Sequence, residues 1–157
     1  MIVLIVRHAH RNKPMGGKLD NGLSEKGRKQ TKRLSRTLAN RLCGVKDLQF
    51  YSSPKKRCQE TLRPLAKKMK SEVETLSSLD VPDEASIRDR VKKTVRFLSS
   101  LKTETVILGV HGEWTEAFFH ALFGQEFSLD KGGWAELERQ ADGTYILQSL
   151  VPERLNR

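Results

Sequence analysis

The first ten residues, MIVLIVRHAH, constrain this chain more than any other stretch. Ile2–Val6 is an unbroken aliphatic run, rich in β-branched residues and too short to span a membrane. Such a run is a strand buried on both faces, as in the middle of a parallel sheet. It stops at Arg7 and His8, and a polar, glycine-containing loop follows. In open α/β sheets the ligand crevice lies beyond the carboxyl ends of the strands. A strand ending in this way delivers a fixed cation beside a potential nucleophile. Taken alone, the pair is equally consistent with an ordinary polar start to a loop.

The chain has 157 residues, which predicts one domain, 1–157, able to bury a core without covalent staples. No stretch has the length of a membrane span, and the apolar N-terminal run lacks a basic segment before it and a cleavage site after it. These features predict a cytoplasmic protein with no membrane partner. Cys43 and Cys58 form no disulfide framework and no metal pattern. Lys and Arg number 29 against 19 Asp and Glu, a net charge of +10. That surplus attracts anions without choosing among nucleic acid, phosphorylated ligands and acidic proteins.

The remaining pattern alternates strand and helix. Arg11–Gly22 is a loop, and Ser24 is a good N-cap for a helix over Glu25–Leu42, whose Leu34, Leu38 and Leu42 share a face. Gly44 is placed to end it. Leu48–Tyr51 is a short strand. Pro54 suits the first turn of a second helix, whose core stripe is Cys58, Leu62, Leu65, Ala66 and Met69. Pro64 within it predicts a kink. A weak strand at Glu72–Leu76 and a loop at Ser77–Glu84 precede a third helix capped by Ser86. Thr105–Val110 is a second strongly apolar strand and ends at His111. A fourth helix over Glu113–Phe123 is expected to bury Ala117, Phe118, Ala121 and Leu122. Trp134–Arg139 and Thr144–Leu150 form a hairpin turning at Asp142-Gly143. The alternation predicts an α/β fold: a three-layer α/β/α sandwich on a mostly parallel sheet, with a C-terminal hairpin.

If the strands are parallel, Arg7 and His8, the segment Ser52–Arg57, and His111 meet at one sheet edge. Two helices begin there and aim free N–H groups at the crevice, which suits a tetrahedral dianion. A cysteine-dependent phosphatase is excluded, because neither Cys58 nor Cys43 has an arginine six positions on. A phosphate-binding P-loop around Gly17-Lys18 lacks its leading glycine and its Ser/Thr. Nucleic-acid binding is disfavoured, because the ten aromatic residues are not interleaved with basic clusters.

IVRHA (Ile5–Ala9), LSEKGRKQ (Leu23–Gln30), SSPKKRCQET (Ser52–Thr61) and VHG (Val110–Gly112), in that order, resemble the histidine phosphatase superfamily, the phosphoglycerate mutase-like group with its RHG triplet. The short segment between Thr61 and Val110 is most similar to the small SixA-like phosphohistidine phosphatase branch, with no large helical insertion. The resemblance implies a metal-independent phosphoric monoester or phosphohistidine hydrolase without cofactor, working through a phosphohistidine intermediate. It matches His8 to the nucleophile, Arg7 and Arg57 to the phosphate-binding arginines, and His111 to the second histidine. The implied partner is a phosphorylated protein, such as a phosphohistidine signalling domain, or a small phosphorylated substrate, with inorganic phosphate as product. Two alternatives stay open: a phosphatase of small phosphate monoesters, and a weak pseudophosphatase serving as a phospho-ligand binding module. Ala9 stands where the triplet has glycine, adding a methyl near the phosphate or at a position wanting positive φ. Ser78 aligns with the general acid of the family and cannot serve as one. Glu113, Asp80, Asp83 and Glu84 are the candidates to replace it.

Overall fold

The aliphatic run is strand β1 (Ile2–Arg7), and Val3–Val6 are fully buried. The computed structural model describes residues 1–13 and 20–157, so the expected loop at Arg11–Gly22 is seen only at its ends; Gly17-Lys18 lies outside the described residues. In chain order the other elements are α1 (Glu25–Arg41), β2 (Leu48–Ser52), α2 (Lys56–Lys68), β3 (Val73–Thr75), α3 (Ile87–Ser100), β4 (Thr105–Val110), α4 (Gly112–Phe123), β5 (Trp134–Arg139) and β6 (Tyr145–Val151).

One sheet holds all six strands in the order β3-β2-β4-β1-β5-β6. The first four positions are parallel, and β5 and β6 form the antiparallel hairpin. β1 therefore has neighbours on both sides, which explains why every one of its inner residues is apolar. One face packs Leu4, Val6, Phe50 and Ile107 against Leu34 and Leu38 of α1 and Leu62 and Leu65 of α2. The other packs Val3, Ile5, Val106 and Leu108 against Val91 and Leu98 of α3 and Trp114 and Phe118 of α4. Among the described residues no helix is long and apolar enough to cross a membrane. Between β3 and α3 lie only two short 3₁₀ turns, Ser77–Leu79 and Glu84–Ser86, so nothing large is inserted there.

Three local expectations are revised. α2 starts at Lys56 rather than Pro54, and the Lys56 N–H is received by the distant carboxylate of Asp20, at 2.8 and 3.0 Å. Pro64 stands inside this helix, where the sequence places it. The Asp83 side chain, rather than Ser86, caps the turn leading into α3, accepting from Ser86 N at 2.9 Å. In α4 the large rings take the core positions: Trp114, Phe118 and Phe119 are fully buried, whereas Ala121 is exposed. Trp114 stacks on Phe118 at 4.8 Å, and this bulk sets which face turns inward.

Candidate active site

The register of β1 on β4 pairs Arg7 with Val110, so His8 and His111 leave the sheet side by side. The backbone continues the pairing one step further, with His8 N donating to Val110 O at 3.0 Å. Their rings meet edge-on, 5.6 Å apart. Ser53, just past the end of β2, reaches the same place from the next strand.

Each ring is held in one tautomer. Nδ1 of His8 is 2.8 Å from Ala9 O, and a carbonyl can only accept, so Nδ1 carries the proton and Nε2 keeps its lone pair. His111 is the reverse. The Arg57 Nη2 group can only donate, so His111 Nδ1 accepts from it at 3.3 Å, and His111 Nε2–H donates to Ser53 Oγ at 2.8 Å. Burial lowers the His8 pKa to about 4, with the Arg57, Arg7 and Arg11 charges adding to the effect and the Ala9 hydrogen bond opposing it. Burial lowers His111 to about 3, with Arg57 the next largest cause. Both imidazoles are neutral near pH 7.

The arginines frame the two rings. Arg7 Nη1 donates to Leu129 O at 2.6 Å, and its guanidinium lies against the start of α4. A Cβ on Gly112 would sit 2.8 Å from Arg7 Cζ, so glycine is what lets the helix end approach the cation. Arg57, in the first turn of α2, has Nη1 3.7 Å from Asp20 Oδ1. Burial and then Arg11 push its pKa down. Nε of Arg7 and Nε of Arg57 are both buried without a hydrogen-bond partner among the described residues. Buried unmet donors are costly and uncommon, and here both belong to the two arginines beside the paired histidines.

Ala9 is fully buried and does not have positive φ, so the triplet position demands no glycine backbone here. Its N–H donates to Thr61 Oγ1 at 3.0 Å, and Thr61 in turn donates to Arg57 O at 2.7 Å. That bridge ties the His8 loop to the helix of Arg57. Cys58 Sγ lies 3.5 Å from His111 Nε2, but burial pushes the thiol pKa up to about 12 and keeps it protonated.

The four acid candidates separate in space. Asp80 Oδ1 is 3.8 Å from His111 Nε2 and Asp80 Oδ2 is 3.9 Å from Lys55 Nζ. Asp83 is occupied as a cap. Glu113 is exposed and, with Glu84, lines a separate groove between α3 and α4, shared with Arg88, Glu116 and His120. Ser78 is buried, bonded through Oγ to Thr94 Oγ1 at 2.8 Å. Its carbonyl accepts from Trp114 Nε1 at 2.9 Å. Trp114 thus pins the turn that carries Asp80 to the helix that begins beyond His111. Neither this tether nor the field of Arg11 is visible in the sequence motifs. His10 stands apart, its Nδ1 2.6 Å from Ser24 Oγ.

One edge of the parallel sheet thus gathers two arginines, two neutral histidines and the N-terminal ends of α2 and α4 in an α/β domain. The chain belongs to the histidine phosphatase superfamily, branch 1, which residues 3–80 match. No curated protein matches the sequence. Among solved structures, a proposed alpha-ribazole-5'-P phosphatase from Escherichia coli K-12 has a TM-score of 0.78 at 16% identity, over 98% of this chain and 97% of that one. A mycobacterial glucosyl-3-phosphoglycerate phosphatase in complex with inorganic phosphate scores 0.76 at 18% identity, over 98% and 99%. A phosphoserine phosphatase from Entamoeba histolytica, a His-to-Ala mutant in complex with phosphoserine, scores 0.71 at 16% identity, over 98% of both chains.

Proposed function

We propose that this chain is a metal-independent phosphatase that forms a phosphohistidine on His8 and acts on exposed phosphoryl groups, above all phosphohistidine on a partner protein. The observation that carries the chemistry is the tautomer of His8: with Nδ1–H spent on Ala9 O, a neutral Nε2 is left beside two guanidinium groups. Nε2 attacks phosphorus in line, the N–P bond forms, and the bond to the leaving group breaks. Arg7, Arg57 and, once protonated in the field of the bound dianion, His111 hold the equatorial oxygens. Water then attacks phosphorus and passes a proton to the Asp80 carboxylate, the N–P bond breaks, its electron pair returns to Nε2, and inorganic phosphate leaves.

Asp80 is the carboxyl group nearest His111 among the candidates, and it takes the role left open by Ser78: in its protonated form it gives a proton to the departing atom. Glu113, on a different groove, has no part in this step. The absence of a large segment between β3 and α3 favours substrates too bulky for a roofed site. A second reading, hydrolysis of small phosphate monoesters, is favoured by Asp80 and by the three structural relatives, whose names give small phosphorylated substrates.

The test compares kcat/KM for a phosphohistidine protein, an aryl phosphate and an alkyl phosphate, with EDTA present throughout. Turnover is expected to vanish in His8→Ala, and an acid-labile, alkali-stable phosphoenzyme should be trapped in the wild type. Residual turnover in His8→Ala within about tenfold of wild type would place the nucleophile elsewhere. Alkyl phosphate hydrolysis outrunning the phosphohistidine protein would establish the second reading.

A further inference from the structure

The positive charge is concentrated on one layer. α1 carries seven Lys or Arg against Glu25, and α2 carries five against Glu60. Both helices follow strands of the parallel set, so both begin at the edge that holds the site and run away from it. Between them lies a groove of about 390 Å³ with Arg28 and Lys32 on the α1 side and Arg63 and Lys67 on the α2 side. All four are exposed, and among the described residues none has an ion-pair partner. Among the described residues Glu60 is the one acidic side chain that lines the groove. Like charges face each other across an apolar floor that includes Pro64, and an anionic occupant would relieve that repulsion.

The groove is in line with the catalytic crevice. Arg57, Glu60, Pro64 and Lys67 recur at three- and four-residue spacing and so share one side of α2. At about 1.5 Å rise per residue, Arg63 lies about 9 Å and Lys67 about 15 Å along the helix from Arg57. Resting on the protein-substrate reading above, we infer that this groove docks an acidic segment of the phosphorylated partner. An extended peptide advances about 3.3 Å per residue, so its carboxylates should stand about three to five residues from the phosphorylated one. Nucleic acid fits less well, because no aromatic ring among the described residues lines the groove for a base to stack on.

The experiment uses two phosphotyrosine peptides that differ only in having three Glu or three Gln at positions three to five beyond the phosphotyrosine. At low salt, kcat/KM for the Glu peptide should exceed that for the Gln peptide at least tenfold. The advantage should disappear in Arg63→Glu/Lys67→Glu and survive in Lys92→Glu/Lys93→Glu, which makes the same charge change on α3. Phenyl phosphate turnover should be unaffected in both. Equal rates for the two peptides, or equal losses in the two double variants, would overturn the groove and leave the phosphatase reading intact. If no phosphate is hydrolysed at all, the catalytic reading has failed. Fluorescence anisotropy of the unphosphorylated Glu peptide, labelled with fluorescein, then decides the groove on its own: binding weakened tenfold only in Arg63→Glu/Lys67→Glu supports it. A single-stranded oligonucleotide that binds more tightly and is released by the same substitutions would assign the groove to nucleic acid and overturn the proposal.

Discussion

At the scale of single residues, the chemistry depends on protonation states that the fold imposes. His8 and His111 should remain neutral from pH 8 to about pH 5, titrating near 4 and 3 when followed by NMR of the imidazole carbons. Titration of either ring near its ordinary 6.5 in the ligand-free protein would contradict the burial on which the mechanism rests. In the proposed mechanism Asp80 protonates the leaving group, so Asp80→Asn should cost about 10²-fold or more in kcat for an alkyl phosphate, where an alkoxide must be protonated. An aryl phosphate should lose less than about tenfold, because its leaving group needs little help. Glu113→Gln should change neither rate, and a loss there would return the acid role to α4.

At the scale of elements, the site is a set of strand and helix ends held in register. Gly112→Ala would drive a methyl into the Arg7 guanidinium, so phosphate should bind at least about tenfold more weakly, as calorimetry would show, while the fold persists. Thr61→Val would leave the buried Ala9 N–H without its acceptor, at a cost of about 1–3 kcal/mol in denaturant unfolding. Much of this framework is legible in the sequence, and for a physical reason. β1 and β4 are apolar on both faces because both are interior strands, and their ends announce Arg7, His8 and His111. The proposed acid is not legible in that way. Asp80 reaches His111 because Trp114, distant in sequence, holds the Ser78 carbonyl, and linear spacing carries no trace of such a tether. The start of α2 is misread for a similar reason: its cap is Asp20, which comes from another part of the chain. The inward face of α4 follows the bulk of its aromatic rings rather than simple periodicity.

For the whole molecule, the same two histidines tie folding to acidity. Folded, they stay neutral until pH falls to about 4 and 3, whereas in the unfolded chain they protonate near 6.5. Below 6.5 the unfolded state binds protons that the folded state refuses, so stability falls with pH, by on the order of 2 kcal/mol per histidine between pH 7 and pH 5. Urea titrations should show that loss shrinking by about half in His111→Gln; an unchanged slope would mean that the ring is solvated. The strand order has a consequence for how the protein comes to exist. The stretch that bears the family signature, residues 3–80, contains β1, β2 and β3, yet β1 pairs with neither of the others. Both of its partners, β4 and β5, are made later. During synthesis His8 therefore emerges before either partner exists, on an apolar strand with two open edges, and about a hundred further residues must follow before β4 can receive it. Its assembly is governed by slow, long-range closure rather than by local structure. A nascent chain stalled before Thr105 should accordingly be protease-sensitive and prone to aggregate through that strand, however complete its signature.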